Sequence, residues 1–472
     1  MPVFILVADG ARPDTLAAAM DEGSLPALAK LRAEGMACEV TSAFPSVTGP
    51  AYTPFLLGRY PGPVGLPALR WFDRARTHAS FPHYTRSYVG HEMRHVDADL
   101  DAAAPTMFEL VPRSLGSLSV IQRGLAKRSR IGGGARFALR AARTHFSGKA
   151  ARWLEIDRDI GSELARRIRA ERPDFVFAAL TGIDKASHAE GHDHGLVRDA
   201  MRIVDDVAAE VRADAERDGR WEETQLWIVS DHGHSRVSNH ENLAQVVEDS
   251  GSTVVAHPWI YRAHPDVAVM VSGNAMAHIY LDLSAPDRQW WPAVGGRWRA
   301  LVEMLVQRAS VDIALLPESP TRCEVVSATR GRAVVEQSIG TDGTRRYSYL
   351  FRDGDPLGIG RAITCASGDA AYDATIGGDY PDSIVQIAHL AGAARSGEVI
   401  LSACRDWDFR AKYEPIPHRS SHGALHREHM LVPLIMSRAP ARAPRRTVDV
   451  MPSALDALGL PTPPGLDGRS FF

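Results

Sequence analysis

Short apolar runs that break off at an acidic or histidine-bearing segment recur along this chain, and they narrow its fold more than any other feature. The run 4–8 ends at Asp9-Gly10, the run 175–180 leads into Asp184-Lys185-Ala186-Ser187-His188, and the run 226–230 ends at Asp231-His232-Gly233. Runs of this length that are apolar on both faces suit strands buried between two layers of helices, as in a parallel sheet. The runs 277–281 and 431–436 have the same character. Helix-patterned segments separate them, which predicts the α/β class. Ligands in open α/β sheets gather beyond the carboxyl ends of the strands. The acidic and histidine segments are therefore expected to meet at one edge of the sheet, joined by Ser421-His422-Gly423 from near the chain's end.

With 472 residues, 45% of them hydrophobic and 24% charged, the chain can bury a large core as one big domain with insertions or as two domains. A net charge of -3 and a pI near 6.7 exclude a general nucleic-acid coat, which would need a strongly basic balance. Cys38, Cys323, Cys365 and Cys404 are too scattered for a metal knuckle or a dense disulfide framework. That favours a reducing, cytoplasmic setting. The opening apolar run is too short for a signal-peptide core, and no other segment reaches membrane-spanning length.

Two stretches break the alternation. No acidic residue lies between Glu109 and Glu155, whereas Arg113, Arg123, Lys127, Arg128, Arg130, Arg136, Arg140, Arg143, Lys149 and Arg152 all do. This predicts a basic insertion. A solvated basic face is the commoner origin of such a run, and an anionic membrane surface bound through residues 113–152, peripheral to the bilayer, is the alternative. The stretch 323–350 reads as β-rich hairpins around the turn-like Gly340-Thr341-Asp342-Gly343. The expected organisation is catalytic core at 1–109, basic insertion at 110–164, core at 165–319, β-rich accessory region at 320–394 and core at 395–472.

Taken singly, the motifs are weak: Asp9 reads as a turn cap, and an Asp-His pair is often a loop feature. Asp184 and His188 are four residues apart, which puts both on one face of a helical turn. His192, Asp193 and His194 read as a solvated loop or as hydrogen-bond partners of the ligands, with direct ligation as the lesser alternative. Together Asp9, Asp184, Asp231, His188, His232 and His422 supply three carboxylates and three imidazoles, with Thr48 in a separate Pro-flanked turn. That is the inventory for two divalent ions and a metal-activated hydroxyl, and it predicts a two-metal hydrolase.

The order Asp9-Gly10-Ala11-Arg12-Pro13-Asp14, Thr48-Gly49-Pro50, Asp184 with His188, Asp231-His232-Gly233 and His422-Gly423 resembles the alkaline phosphatase superfamily, in particular its nucleotide pyrophosphatase/phosphodiesterase branch. The resemblance includes Gly58-Arg59-Tyr60-Pro61 and Leu466-Asp467-Gly468-Arg469-Ser470, so it spans nearly the whole chain. It implies a three-layer α/β/α core, with Asp184, His188 and His422 on one metal and Asp9, Asp231, His232 and Thr48 on the other. It further implies in-line attack by Thr48 on phosphorus and hydrolysis of the resulting phosphothreonine intermediate. Two zinc ions suit these ligands, with manganese or iron as alternatives. A sulfatase is disfavoured because Thr48-Gly49-Pro50-Ala51-Tyr52 lacks the convertible Cys or Ser followed by x-Pro-x-Arg.

One position departs from the family pattern. An Asn that holds a nonbridging phosphate oxygen is expected some twenty residues after the nucleophile, and Leu69 stands near there. Arg70 is the substitute candidate, since a guanidinium forks onto two phosphate oxygens and would favour a more highly charged monoester. Tyr52, Trp71, Phe72 and the Trp290-Trp291 pair are candidates for stacking on a substrate, although packing is the commoner role of such aromatics. Phosphodiester or pyrophosphate hydrolysis is the leading expectation. Phosphomonoester hydrolysis, phosphotransfer to an alcohol, and a polyanion-binding protein with structural metals are the rivals.

Overall fold

The computed structural model describes residues 1–77, 85–258, 262–410 and 416–472. Seven strands form the central sheet in the spatial order Met36–Thr41, Leu431–Met436, Gln225–Val229, Val3–Ala8, Phe175–Leu180, Ser114–Ser117, Arg130–Ile131. The last five of these run parallel, while Leu431–Met436 is antiparallel to both its neighbours.

Alternation along the first strand explains the layering. Val3, Ile5 and Val7 pack with Phe55, Leu56, Met451 and Ala454 on one face, and Phe4, Leu6 and Ala8 pack with Leu16, Leu28, Ile160 and Val204 on the other. Helices Thr53–Leu57 and Val450–Leu458 supply the first set of partners, and Pro13–Asp21, Pro26–Glu34, Ala151–Glu171 and Gly195–Arg217 the second. Each fully buried aliphatic or Phe side chain contributes roughly 1.5–3 kcal/mol, so both layers are bound firmly to the sheet. The expected three-layer α/β/α core is present.

A second sheet of nine strands runs from Val254–Ala256 at one edge to Ile363–Ser367 at the other. Met276–Leu281, expected in the parallel sheet, belongs here, antiparallel to Val267–Ser272 and Val399–Ala403. The reason is physical: a run buried on both faces reads the same in any sheet that lies between two layers, and helices Trp291–Val306 and Ser383–Ala391 cover this one. The hairpins Arg322–Ser327, Gly331–Ile339 and Arg345–Phe351 stand where the β-rich pattern placed them, as part of the same sheet. The basic stretch supplies Ser114–Ser117 and Arg130–Ile131 to the edge of the central sheet before entering helix Ala135–Phe146. Among the described residues, no helix is long and apolar enough to cross a membrane.

Two contacts tie the sheets together beside the functional edge. Arg446 forks onto buried Asp382 with bonds of 2.8 and 2.6 Å, and Asn274, in the turn after Val267–Ser272, forms an isolated bridge with His422. In the central sheet Ala8 pairs with Leu180 and Val7 with Val229. Asp9, Thr181 and Ser230 therefore leave adjacent strands at one level, about 4.8 Å apart.

Candidate active site

Asp184 lies in the first turn of helix Gly182–Glu190, and His188 follows one turn later. Asp157 anchors that helix by accepting the amides of Thr181 and Gly182 at 3.1 and 2.6 Å. Asp184 Oδ1 is a hub, 3.0 Å from His234 Nε2, 3.2 Å from His188 Nε2 and 3.6 Å from His422 Nε2. Its other oxygen accepts from Lys185 Nζ at 2.7 Å. Burial pushes the Asp184 carboxyl up, but the Lys185 ammonium, the largest opposing influence, goes with a carboxyl held well below the usual carboxylate range.

Asp9, Asp231 and His232 form the neighbouring cluster. His232 Nε2 is 3.4 Å from Asp9 Oδ1, 3.6 Å from Asp231 Oδ2 and 3.0 Å from Thr48 Oγ1, and Thr48 Oγ1 lies 3.3 Å from Asp9 Oδ1. Burial and the nearby carboxylates hold Asp9 well above the ordinary carboxylate range, and burial with Asp184 raises Asp231 against the pull of His232. The His232 and His422 rings stack 3.6 Å apart with planes 2° from parallel, so the two clusters adjoin.

Hydrogen bonds settle which imidazole nitrogen is free. Nδ1 of His188, His422 and His232 faces the carbonyl oxygen of Ser420, Ser46 and Gly233 at 2.8, 2.9 and 3.1 Å. A carbonyl accepts only, so each Nδ1 carries a proton, and in a neutral ring Nε2 then turns a lone pair toward carboxylate oxygens. Asp231 Oδ2 is buried and makes no hydrogen bond among the described residues. Lone pairs converging on carboxylates make a donor set for cations, and mixed imidazole and carboxylate donors fit divalent transition metals.

Thr48 is the one residue of the segment 41–58 that is not buried. Gly49, at φ +97°, turns the chain there into the 3-10 turn Pro50–Tyr52 and helix Thr53–Leu57. The hydroxyls nearby are engaged elsewhere: Ser46 Oγ donates to Ala424 O at 3.1 Å, and Thr53 Oγ1 to Pro50 O at 2.9 Å.

The sequence profile described as type I phosphodiesterase / nucleotide pyrophosphatase matches residues 3–294. The chain belongs to this family. It is thus a phosphoric ester hydrolase of the alkaline phosphatase superfamily. The fold of this phosphodiesterase-family chain is similar to phosphonoacetate hydrolase from Sinorhizobium meliloti 1021, at 15% identity and TM-score 0.56, covering 97% of this chain and 96% of that one. It is also similar to murine ectonucleotide pyrophosphatase / phosphodiesterase 5, at 13% identity, TM-score 0.56 and coverage of 99% and 97%. The human counterpart gives 12% identity, TM-score 0.57 and coverage of 99% and 97%. No curated protein matches the chain in sequence.

Other residues of this phosphodiesterase-family site fall as follows. A Cβ on Gly49 would lie 3.6 Å from Leu69 Cδ1, so Leu69 stands against the Thr48 turn where an amide donor was expected. Arg70 follows at the start of strand Arg70–Phe72, its amide donating to Ser272 Oγ at 3.0 Å. Tyr52 and Trp71 are 0% and 1% exposed and lie in the core, where Trp71 Nε1 donates to Tyr88 Oη at 2.9 Å. Burial, together with the Asp9, Asp231 and Asp184 carboxylates, keeps the Tyr52 hydroxyl protonated. His194 caps helix Gly195–Arg217, accepting from Leu196 N at 3.2 Å, and His192 pairs with Asp193. Lys185 and His234 lie outside the set of ligands that the motifs predict. The signal for His234 was its place two residues after His232, the spacing that returns to one side of an extended chain.

Proposed function

We propose that this chain hydrolyses phosphodiester or pyrophosphate bonds at a dinuclear centre, through a phosphothreonine intermediate on Thr48. The observation that carries this reading is the meeting of two buried carboxylate–imidazole clusters beside the one hydroxyl of segment 41–58 that reaches solvent. Asp184, His188 and His422 would hold one ion, and Asp9, Asp231 and His232 the other, with Thr48 as an added ligand there. Zinc suits these donors, and manganese or iron could use the same groups. Bound ions would supply Lewis acidity on both sides of the phosphorus and lower the pKa of the Thr48 hydroxyl.

The chain's own groups do the rest. His232 and Asp9 aim Thr48 Oγ1, which attacks phosphorus as the bond to the leaving oxygen breaks. Water then adds to the same phosphorus and expels Thr48. Lys185 offsets the charge of Asp184 and fixes its orientation. Arg70 would fork onto nonbridging oxygens. Trp71 and Tyr52, both buried, would act on the substrate through what they support: the Arg70 strand and the Thr48 turn. The free cysteines support a reducing, cytoplasmic setting. Similar folds bind small phosphorus oxyanions, AMP in the murine protein and phosphonoformate in the bacterial hydrolase.

Leu69 against the Thr48 turn favours a second reading, phosphomonoester hydrolysis with Arg70 as the oxyanion donor. Metal analysis combined with a panel of aryl diesters, dinucleotides, nucleotide sugars, glycerophosphodiesters, phosphonates and monoesters tests both. The expected result is two transition ions per chain, activity lost on chelation, and diesters turned over faster than the matching monoesters. One ion or none in pure, active protein would overturn the dinuclear reading, and a monoester preference would establish the second.

A further inference from the structure

We propose that His234 is a protein ligand of the ion at Asp184, which three imidazoles and a carboxylate then hold in place of two imidazoles and a carboxylate. The proposal rests on the dinuclear reading and extends it to a residue outside the six ligands inferred from sequence.

The His234 tautomer follows from its neighbours. Ser420 Oγ donates to Ser235 O at 2.8 Å, so toward His234 Nδ1, 3.1 Å away, that hydroxyl can only accept. Nδ1 therefore carries a proton, and in the neutral ring Nε2 turns its lone pair on Asp184 Oδ1 at 3.0 Å. Two acceptors at that distance call for a cation between or beside them. The same logic places the lone pairs of His188 and His422 on this oxygen.

The spacing fits a metal as well. A tetrahedral ion with ligand bonds of about 2.0–2.1 Å separates its ligand atoms by about 3.3–3.4 Å. Asp184 Oδ1 stands 3.0, 3.2 and 3.6 Å from the Nε2 atoms of His234, His188 and His422. The three rings make a nearly equilateral triangle, with centroids 4.9 Å apart for His188 and His234 and 5.1 Å for each of the other two pairs. The set whose donor atoms all lie within 4.8 Å of one another holds His234 with Asp184, His422 and His232, and His188 stands outside it, joined through Asp184 Oδ1.

The fold builds space for the His234 ring. A Cβ on Gly10 would lie 2.9 Å from His234 Nε2, and the backbone there has φ +79°, so glycine suits that position twice over. Arg12 holds the segment by donating to His234 O at 2.6 Å, and His234 itself is 0% exposed.

A fourth protein ligand would make the ion at Asp184 the more firmly held of the two, and a substrate oxygen would reach it by expansion to five-coordination.

Chelator competition on the zinc-loaded full chain, followed by metal analysis, tests this, together with visible absorption after cobalt(II) substitution. Wild type should keep one ion at chelator concentrations that remove the other. His234→Ala should weaken the retained ion by at least the 10–100-fold typical of losing an outer hydrogen-bond partner of a ligand. Its cobalt bands should lose intensity as water replaces imidazole. His234→Gln, which can still hydrogen-bond Asp184, should behave like His234→Ala, whereas a purely hydrogen-bonding His234 would be rescued by it. Metal-free circular dichroism checks that the variants fold. Retention of both ions with wild-type affinity and an unchanged cobalt spectrum in His234→Ala, or full rescue by His234→Gln, overturns the assignment of His234 alone. Wild type holding fewer than two ions overturns the dinuclear reading and the assignment with it.

Discussion

Replacing Thr48 separates a covalent mechanism from direct attack by water, and the structure sets the size of each effect. In Thr48→Ala no other hydroxyl of the segment can substitute, because Thr41, Ser42, Ser46, Tyr52 and Thr53 are all buried away from the open side of the site. Turnover should fall by at least 10³–10⁴, about 4–5.5 kcal/mol at 1.36 kcal/mol per factor of ten. Thr48→Ser keeps the oxygen that lies 3.0 Å from His232 Nε2 and 3.3 Å from Asp9 Oδ1, but without the methyl its χ1 samples three wells more evenly. Confining it again costs at most RT ln 3, about 0.65 kcal/mol or threefold in kcat/KM. The assay is steady-state hydrolysis of a chromogenic aryl diester with metal content measured on the same samples. Acid-quenched mass spectrometry of the peptide carrying Thr48 then looks for the covalent adduct. A metal-replete Thr48→Ala enzyme within tenfold of wild type would refute the nucleophile assignment, and so would a Thr48→Ser enzyme as inactive as Thr48→Ala.

Arg70→Ala should lower kcat/KM by about 2–4 kcal/mol equivalents, as for loss of one preorganised oxyanion donor, and more for a doubly charged monoester than for a diester; small, equal losses on both would place Arg70 outside the reaction. Asp157, raised by burial to about 7 despite the amides of Gly182 and Thr181, keeps in the folded state a proton that the unfolded chain releases near pH 4. Its contribution is therefore complete below that lower value and is lost as pH rises toward 7, with a slope of up to about 1.4 kcal/mol per unit. Asp157→Asn cannot titrate, so wild type should lose stability relative to it between pH 5 and 8 in denaturant titrations, and parallel profiles would show the raised value to be wrong.

The sequence alone determined what is local. A buried strand followed by a turn announces itself through a short apolar run and the polar residues that end it, so Asp9, Asp184 with His188, and Asp231-His232 were all visible at strand ends. The α/β class followed from their alternation with helices, and the joint order of the motifs pointed to the family. Convergence and burial were decided by the tertiary structure, because both are sums over contacts from distant segments. Met276–Leu281 reads like a central-sheet strand and pairs instead in the nine-stranded sheet, since burial on both faces does not name the partner strand. Tyr52 and Trp71 sit in motifs near Thr48 yet face the core, because the direction of a side chain depends on what the rest of the chain packs against it. His234 is the sharpest case. Its neighbours in sequence say nothing of Asp184, fifty residues back, or of Ser420, far toward the carboxyl end. The parallel pairing of three strands and the approach of the Ser420 segment set its ring between them.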